Sequence, residues 1–322
     1  MGIYSLPAQQ AGNGIINKSV YAFPPCFSRR CCHLPRMSHL HTLARWLRRL
    51  LGRPAPIPDA LWQRTLERYP FLPPAGSAHT ERLRRICAHF LARKEFSGAH
   101  GLQVSDEMAL AVAAQACLPL LHMGPDDAPE RALAWYGNFV GIVMHPAAAL
   151  APRRRRDGAG VVHEWHEPLL GEAMHGGPLM LSWPAVQDAG QGEGEDAGGS
   201  VVIHEFMHKM DMRAAGYADG APPLPDGFMG ASRPREAAQL WQRVWTGAYE
   251  RFRQQSILAE RFGAPAPCLD AYAASAPAEF FAVACEAHFV QSARFAREFP
   301  DLAAALRAFF RQPELTQPPS PD

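Results

Sequence analysis

No stretch of this sequence approaches the roughly 20 apolar residues that cross a bilayer, so no membrane span is expected. Regular cysteine spacing is also missing. Seven cysteines stand at 26, 31, 32, 87, 117, 268 and 285, an odd number with neither a disulfide framework nor a standard finger spacing. They read as reduced thiols of a cytoplasmic protein. There are no internal repeats, which excludes a solenoid or a propeller. Acidic residues are absent from positions 1–58, which carry eight Lys or Arg. What remains is ordinary for a globular protein: 322 residues, 48% hydrophobic and 20% charged, enough for one large domain or two small ones.

The acid-free stretch 1–58 reads as a basic, Pro-rich N-terminal arm, disordered in part. Met37 opens a segment with apolar residues at 40, 43, 47, 50 and 51, a helical spacing, and is taken as the expected start of translation. A basic arm can contact nucleic acid or a membrane surface. Direct nucleic-acid binding is nevertheless not the expected role. Residues 59–312 are expected to form a single domain, with 313–322 a disordered tail.

Within that domain the first segments are helical: 59–68, then a helix capped by Thr80 and running to about 94, then an Ala-rich helix begun by Ser105 and Asp106. The pattern turns to strands at 138–146, 161–167 and 178–184, with Leu179 to Ser182 expected at a sheet edge. The run Arg153-Arg154-Arg155-Arg156 is expected in a solvated loop. Residues 188–199 read as a flexible Gly- and acid-rich loop, and 235–262 as a return to helix. The fold class is therefore α+β, with a helical N-terminal layer, a small mixed sheet and later helices.

The chemistry concentrates in His204-Glu205-Phe206-Met207-His208. On an α-helix, residues four apart lie one above the other. His204 and His208 can then aim two imidazoles at one ion, and Glu205 stands beside them without taking a coordination place. A hydrolytic zinc site needs that pattern of two fixed ligands, a carboxylate base and an open position. Gly198-Gly199-Ser200 breaks the chain just before, and Ser200 is a natural N-cap.

Two histidines need a third protein ligand. Positions 211 and 214 are Asp and Ala where a metzincin needs Gly and His, so that class is excluded. The best candidate is Glu279 in the segment 270–286, where Ser275 suits an N-cap and Pro277 a first turn. Glu286 lies seven residues on, about 10 Å along a helix axis, so one of the pair can touch the ion and the other supports the site. Asp211 offers a partner for an imidazole N–H, with a surface carboxylate as the equal alternative. Tyr272 is a candidate donor to an oxyanion, with a packing role as its alternative.

The two segments I-H-E-F-M-H-K-M-D and D-A-Y-A-A-S-A-P-A-E-F-F-A-V resemble the Mlc titration factor A family of bacterial zinc peptidases, over roughly residues 65 to 311. The resemblance implies a gluzincin with a zincin-like catalytic domain like that of anthrax lethal factor. It implies one zinc per chain held by His204, His208 and Glu279, with Glu205 as base and Tyr272 as the matching tyrosine. It also implies aminopeptidase-like activity on small peptides and binding of the repressor Mlc, which relieves repression of sugar phosphotransferase genes. The alternative expectation is a non-catalytic, repressor-sequestering protein with structural zinc.

Overall fold

Residues 54–156, 162–169, 171–192 and 198–313 are described by a computed structural model, with the backbone alone described at 149–156 and 162–169. The arm through residue 53, the tail from 314 and residues 193–197 of the acidic loop lie outside the described residues. So do the expected start at Met37 and Cys26, Cys31 and Cys32.

Three helices build the first layer: α1 (Asp59–Arg68), α2 (Ala78–Arg93) and α3 (Asp106–Cys117). Ser77, not Thr80, caps α2, accepting from the Thr80 N–H at 3.1 Å. The segment Ser77-Ala78-His79-Thr80 offers two hydroxyls, and the earlier one takes the position that satisfies a first-turn donor. Ser105 caps α3 as expected, through the Met108 N–H.

The sheet runs in the order β1 (Glu95–Gly98), β2 (Gly141–His145), β6 (Leu179–Ser182), β5 (Gly171–Ala173). The first three strands are parallel and β5 joins antiparallel, so the sheet is small and mixed. Ile142, Met144, Leu179 and Leu181 are all fully buried, a continuous apolar layer of the kind a parallel sheet needs under its helices. Leu179–Ser182 is thus an interior strand, not an edge. The three residues Gly171–Ala173 pair along it and take the edge position instead.

A second correction concerns Arg153–156. These residues sit in β3 (Ala149–Arg156), paired antiparallel with β4 (Val162–Leu169), a two-stranded ribbon where a loop was expected. Proline at 152 and four successive arginines hide strand propensity, while a two-residue-period partner supplies the pairing that local composition does not reveal.

After the short helix α4 (Trp183–Gln187) the chain enters α5 (Val201–Ala215), then the long α6 (Pro234–Phe262), α7 (Pro277–Val290), α8 (Ser292–Glu298) and α9 (Pro300–Phe309). Phe206 of α5 packs against Phe90, Tyr136 and Phe139, with ring centroids 4.6–5.7 Å apart. That contact fixes α5 against the first layer on one side. On the other, α5 packs on α7 and on β5, which brings the helix with the paired histidines between an edge strand and a second helix. Among the described residues no helix is long and apolar enough to cross a membrane.

Candidate metal centre

Helix α5 begins where the Gly198-Gly199 pair lets the chain turn, and Ser200 caps it by accepting from the Ile203 N–H at 3.1 Å. The cap is itself held, because the Ser200 hydroxyl donates to Gln115 Oε1 at 2.7 Å. Once the helix is set, His204 and His208 face the same way, one turn apart, with Nε2 atoms 3.1 Å apart. Helix α7 starts at Pro277 and puts Glu279 in its first turn. Its N-cap is Ala276, not Ser275. The Ser275 hydroxyl donates instead to the Tyr272 carbonyl at 2.7 Å, closing the short 3-10 turn Ala271–Ala274.

Glu279 Oε2 lies 3.1 Å from His204 Nε2 and 3.2 Å from His208 Nε2. The three atoms form a near-equilateral triangle. Donors bound to one tetrahedral zinc at about 2.0–2.1 Å stand about 3.3 Å apart, so the triangle is close to the size such an ion requires. Its chemistry points the same way. Glu286 Oε1 stands 2.6 Å from His204 Nδ1 and takes that nitrogen's proton in a hydrogen bond, leaving the Nε2 lone pair aimed into the triangle. Lone pairs and a carboxylate oxygen so close together repel unless a positive charge sits among them. In the bare protein a proton supplies it. Burial opposes charge on His204, but the Glu279 and Glu286 carboxylates outweigh that and hold its pKa well above the usual range. Burial likewise opposes charge on Glu279, yet the two imidazoles hold its carboxyl well below the usual carboxylate range. His204, His208 and Glu279 could therefore hold a metal ion, and the donor set fits zinc.

Glu205 lies on the same helix, 5% exposed, with Oε2 buried and without a hydrogen-bond partner. Burial pushes its pKa up to about 7, against the pull of the two imidazoles. Tyr272 stands at the rim, 47% exposed, its ring centroid 6.3 Å from that of His204. All five expected site residues are thus brought to one place.

Asp211 is not among them. It is fully buried and accepts from the Gly220 and Ala221 N–H groups at 2.8 and 3.0 Å, so it anchors the loop after α5 and holds no imidazole. His208 Nδ1 is buried with no partner. The carboxylate that does orient an imidazole is Glu286, which also accepts from the Ser200 N–H at 2.8 Å. Two further positions escaped the sequence. A Cβ at Gly199 would stand 2.1 Å from Glu286 Oε2, so glycine there admits the carboxylate as well as breaking the chain. Lys209, fully buried beside His208, donates to the Met174 and Gly177 carbonyls.

A one-turn histidine pair, a carboxylate from a second helix and an unpartnered buried glutamate beside them define a metal centre of the metallopeptidase class. Comparison with known proteins narrows this. The chain belongs to the glucose-regulated metallo-peptidase M90 family, whose model matches residues 43–311. It is similar to proteins named Mlc titration factor A. That of Edwardsiella ictaluri is 30% identical over 246 residues, 76% of this chain and 85% of that protein. That of Klebsiella pneumoniae is 30% identical over 257 residues, 80% of this chain and 87% of that protein. That of Serratia proteamaculans is 30% identical over 258 residues, 80% and 89% respectively.

Proposed function

We propose that this chain is a cytoplasmic, zinc-dependent peptidase with a single zincin-like domain over 59–312, cleaving small peptides in the manner of an aminopeptidase. One zinc per chain would be held by His204, His208 and Glu279. The observation that carries the reading is the triangle of three acceptor atoms with the Glu205 carboxylate beside it. When bound, the zinc ion supplies Lewis acidity, polarising a carbonyl and acidifying water.

The rest falls to the chain's own residues. Glu205, poised near neutrality by burial, takes the proton of the attacking water and hands it to the leaving amine. His204 keeps one ring orientation because Glu286 fixes its Nδ1. Tyr272, at the open rim, donates its phenol to the oxygen on which charge develops. The buried, unpaired thiols of Cys87, Cys117 and Cys285 suit a reducing compartment.

A second reading is favoured by the relatives' name. The chain would then bind an Mlc-like repressor, with zinc serving structure. Glu205→Gln separates the two. A peptidase keeps its zinc by elemental analysis and loses about 10²–10⁴-fold in turnover of a small peptide. If Glu205→Gln instead turns over peptide at the wild-type rate, the hydrolytic reading is wrong, whereas repressor capture in a pull-down that survives the substitution supports the second.

A further inference from the structure

Glu205 is the one functional side chain whose own contacts do not explain its placement. Its Oε2 is buried and accepts nothing, so no hydrogen bond there selects its rotamer. What does confine it is the edge strand. β5 packs on α5, and at the first residue of that strand a Cβ would lie 2.5 Å from Glu205 Cγ, 2.6 Å from Oε1 and 2.8 Å from Cδ. No real Cβ approaches another heavy atom so closely. Residue 171 is glycine, and its lack of a side chain is the space the carboxyl occupies.

The usual reason for glycine does not apply here. Gly171 is absent from the positions of positive φ, and it sits in regular antiparallel register opposite Leu181. Alanine would suit that backbone, since glycine inside a strand gives up conformational entropy and packing. All three near atoms belong to the far end of one flexible side chain, so an added methyl group is accommodated by moving Glu205, with the backbone in place.

We propose that Gly171 is a positioning residue for the base: its bare backbone roofs the slot that holds the Glu205 carboxylate beside the metal ligands. The inference rests on the hydrolytic reading and adds a constraint that the motif does not contain. It makes the edge strand part of the catalytic geometry through an absent side chain.

The test is Gly171→Ala in the full-length holoprotein, with Glu205→Gln, Glu205→Asp and Gly171→Ala/Glu205→Asp alongside. Three things are read: zinc content, steady-state hydrolysis of a small peptide, and the crystal structure of the metal-free Gly171→Ala chain. Misplacing a catalytic group by about 1 Å costs on the order of 10²-fold. Gly171→Ala should therefore keep its zinc and its KM while kcat falls about 10²-fold, and its structure should show the Glu205 carboxyl rotated out of the slot. Because aspartate is one methylene shorter, Glu205→Asp should cost less in the Gly171→Ala background than in wild type, a coupling that general destabilisation does not produce. Wild-type kcat in Gly171→Ala beside an inactive Glu205→Gln overturns the proposal and leaves the hydrolytic reading standing. Zinc loss or additive effects overturn it too, and an active Glu205→Gln removes both.

Discussion

The two helices that meet at the metal centre, α5 and α7, hold their polar groups in opposite ways. On α5 the buried charges away from the ion are answered by nearby loops: Lys209 by the carbonyls of Met174 and Gly177, Asp211 by the N–H groups of Gly220 and Ala221. Those partners keep α5 in place whatever the ion does. On α7 both carboxylates reach across to α5. Glu279 approaches His204 at Nε2 and Glu286 approaches it at Nδ1, so two residues seven apart clasp opposite ends of one ring. Substitutions of Lys209 or Asp211 on α5 should therefore disturb the fold, and those on the metal-facing side of α7 should disturb the metal while sparing the fold.

Glu279→Ala puts that contrast to its hardest test. Removing the single ligand contributed by α7 should release the zinc, with affinity falling by more than about 10²-fold and hydrolysis dropping below detection, while the circular dichroism spectrum stays that of the wild type. Elemental analysis after dialysis reads the first, and retention of one zinc per chain would take Glu279 out of the ligand set. Tyr272→Phe comes next. The phenol is nearly half exposed, so losing its hydroxyl should cost the fold little, yet kcat should fall about 10²-fold with KM unchanged if it serves the oxyanion. An unchanged kcat would return Tyr272 to the rim as packing. Glu286→Gln is milder. The amide keeps one acceptor but loses charge and cannot serve both the Ser200 N–H and His204 Nδ1. Zinc affinity, measured against a competing chelator, should drop about tenfold.

How much of this was legible beforehand follows the same division. The histidine pair, the neighbouring Glu205 and the Ser200 cap are local features of α5, set by a 3.6-residue period and a Gly-Gly-Ser break, and they stand where the sequence puts them. Glu279 was legible because α7 opens on proline with a carboxylate in its first turn, although the cap fell on Ala276 and not on Ser275. Tertiary choices were not legible. Asp211 has the right helical face for an imidazole but meets loop N–H groups closer at hand. Leu179–Ser182 has the pattern of either an edge or an interior strand, and only the pairing of the three residues 171–173 decides it. Four consecutive arginines give no sign that a facing strand will pair with them.

The smallest expected effect lies at the other end of α7 and shows what the helix does away from the ion. His288 is 6% exposed, stacked on Phe310 at 6.0 Å and close to Phe289 and Phe295. Its Nε2 lies 2.8 Å from Gln312 Oε1, a bond the neutral ring makes by donating. Burial pushes its pKa down to about 4. The unfolded chain, with an ordinary histidine near 6.5, takes up the proton first as pH falls. Stability from this group is thus complete above about pH 6.5 and drains away as pH falls toward 4, by up to about 3 kcal/mol. Asp211, raised by burial to about 6, works in the opposite sense. Its folded form binds the proton first, so wild type alone shows a blend of the two. Comparing wild type with His288→Phe in urea titrations at several pH values cancels the shared aspartate and isolates the histidine. Phenylalanine fits an aromatic neighbourhood and cannot titrate, so the variant should lose less stability between pH 6.5 and 4 than the wild type. Equal losses would mean that the ring takes up its proton at the same pH in the folded and unfolded chain, which would remove His288 from the acid sensitivity of the fold.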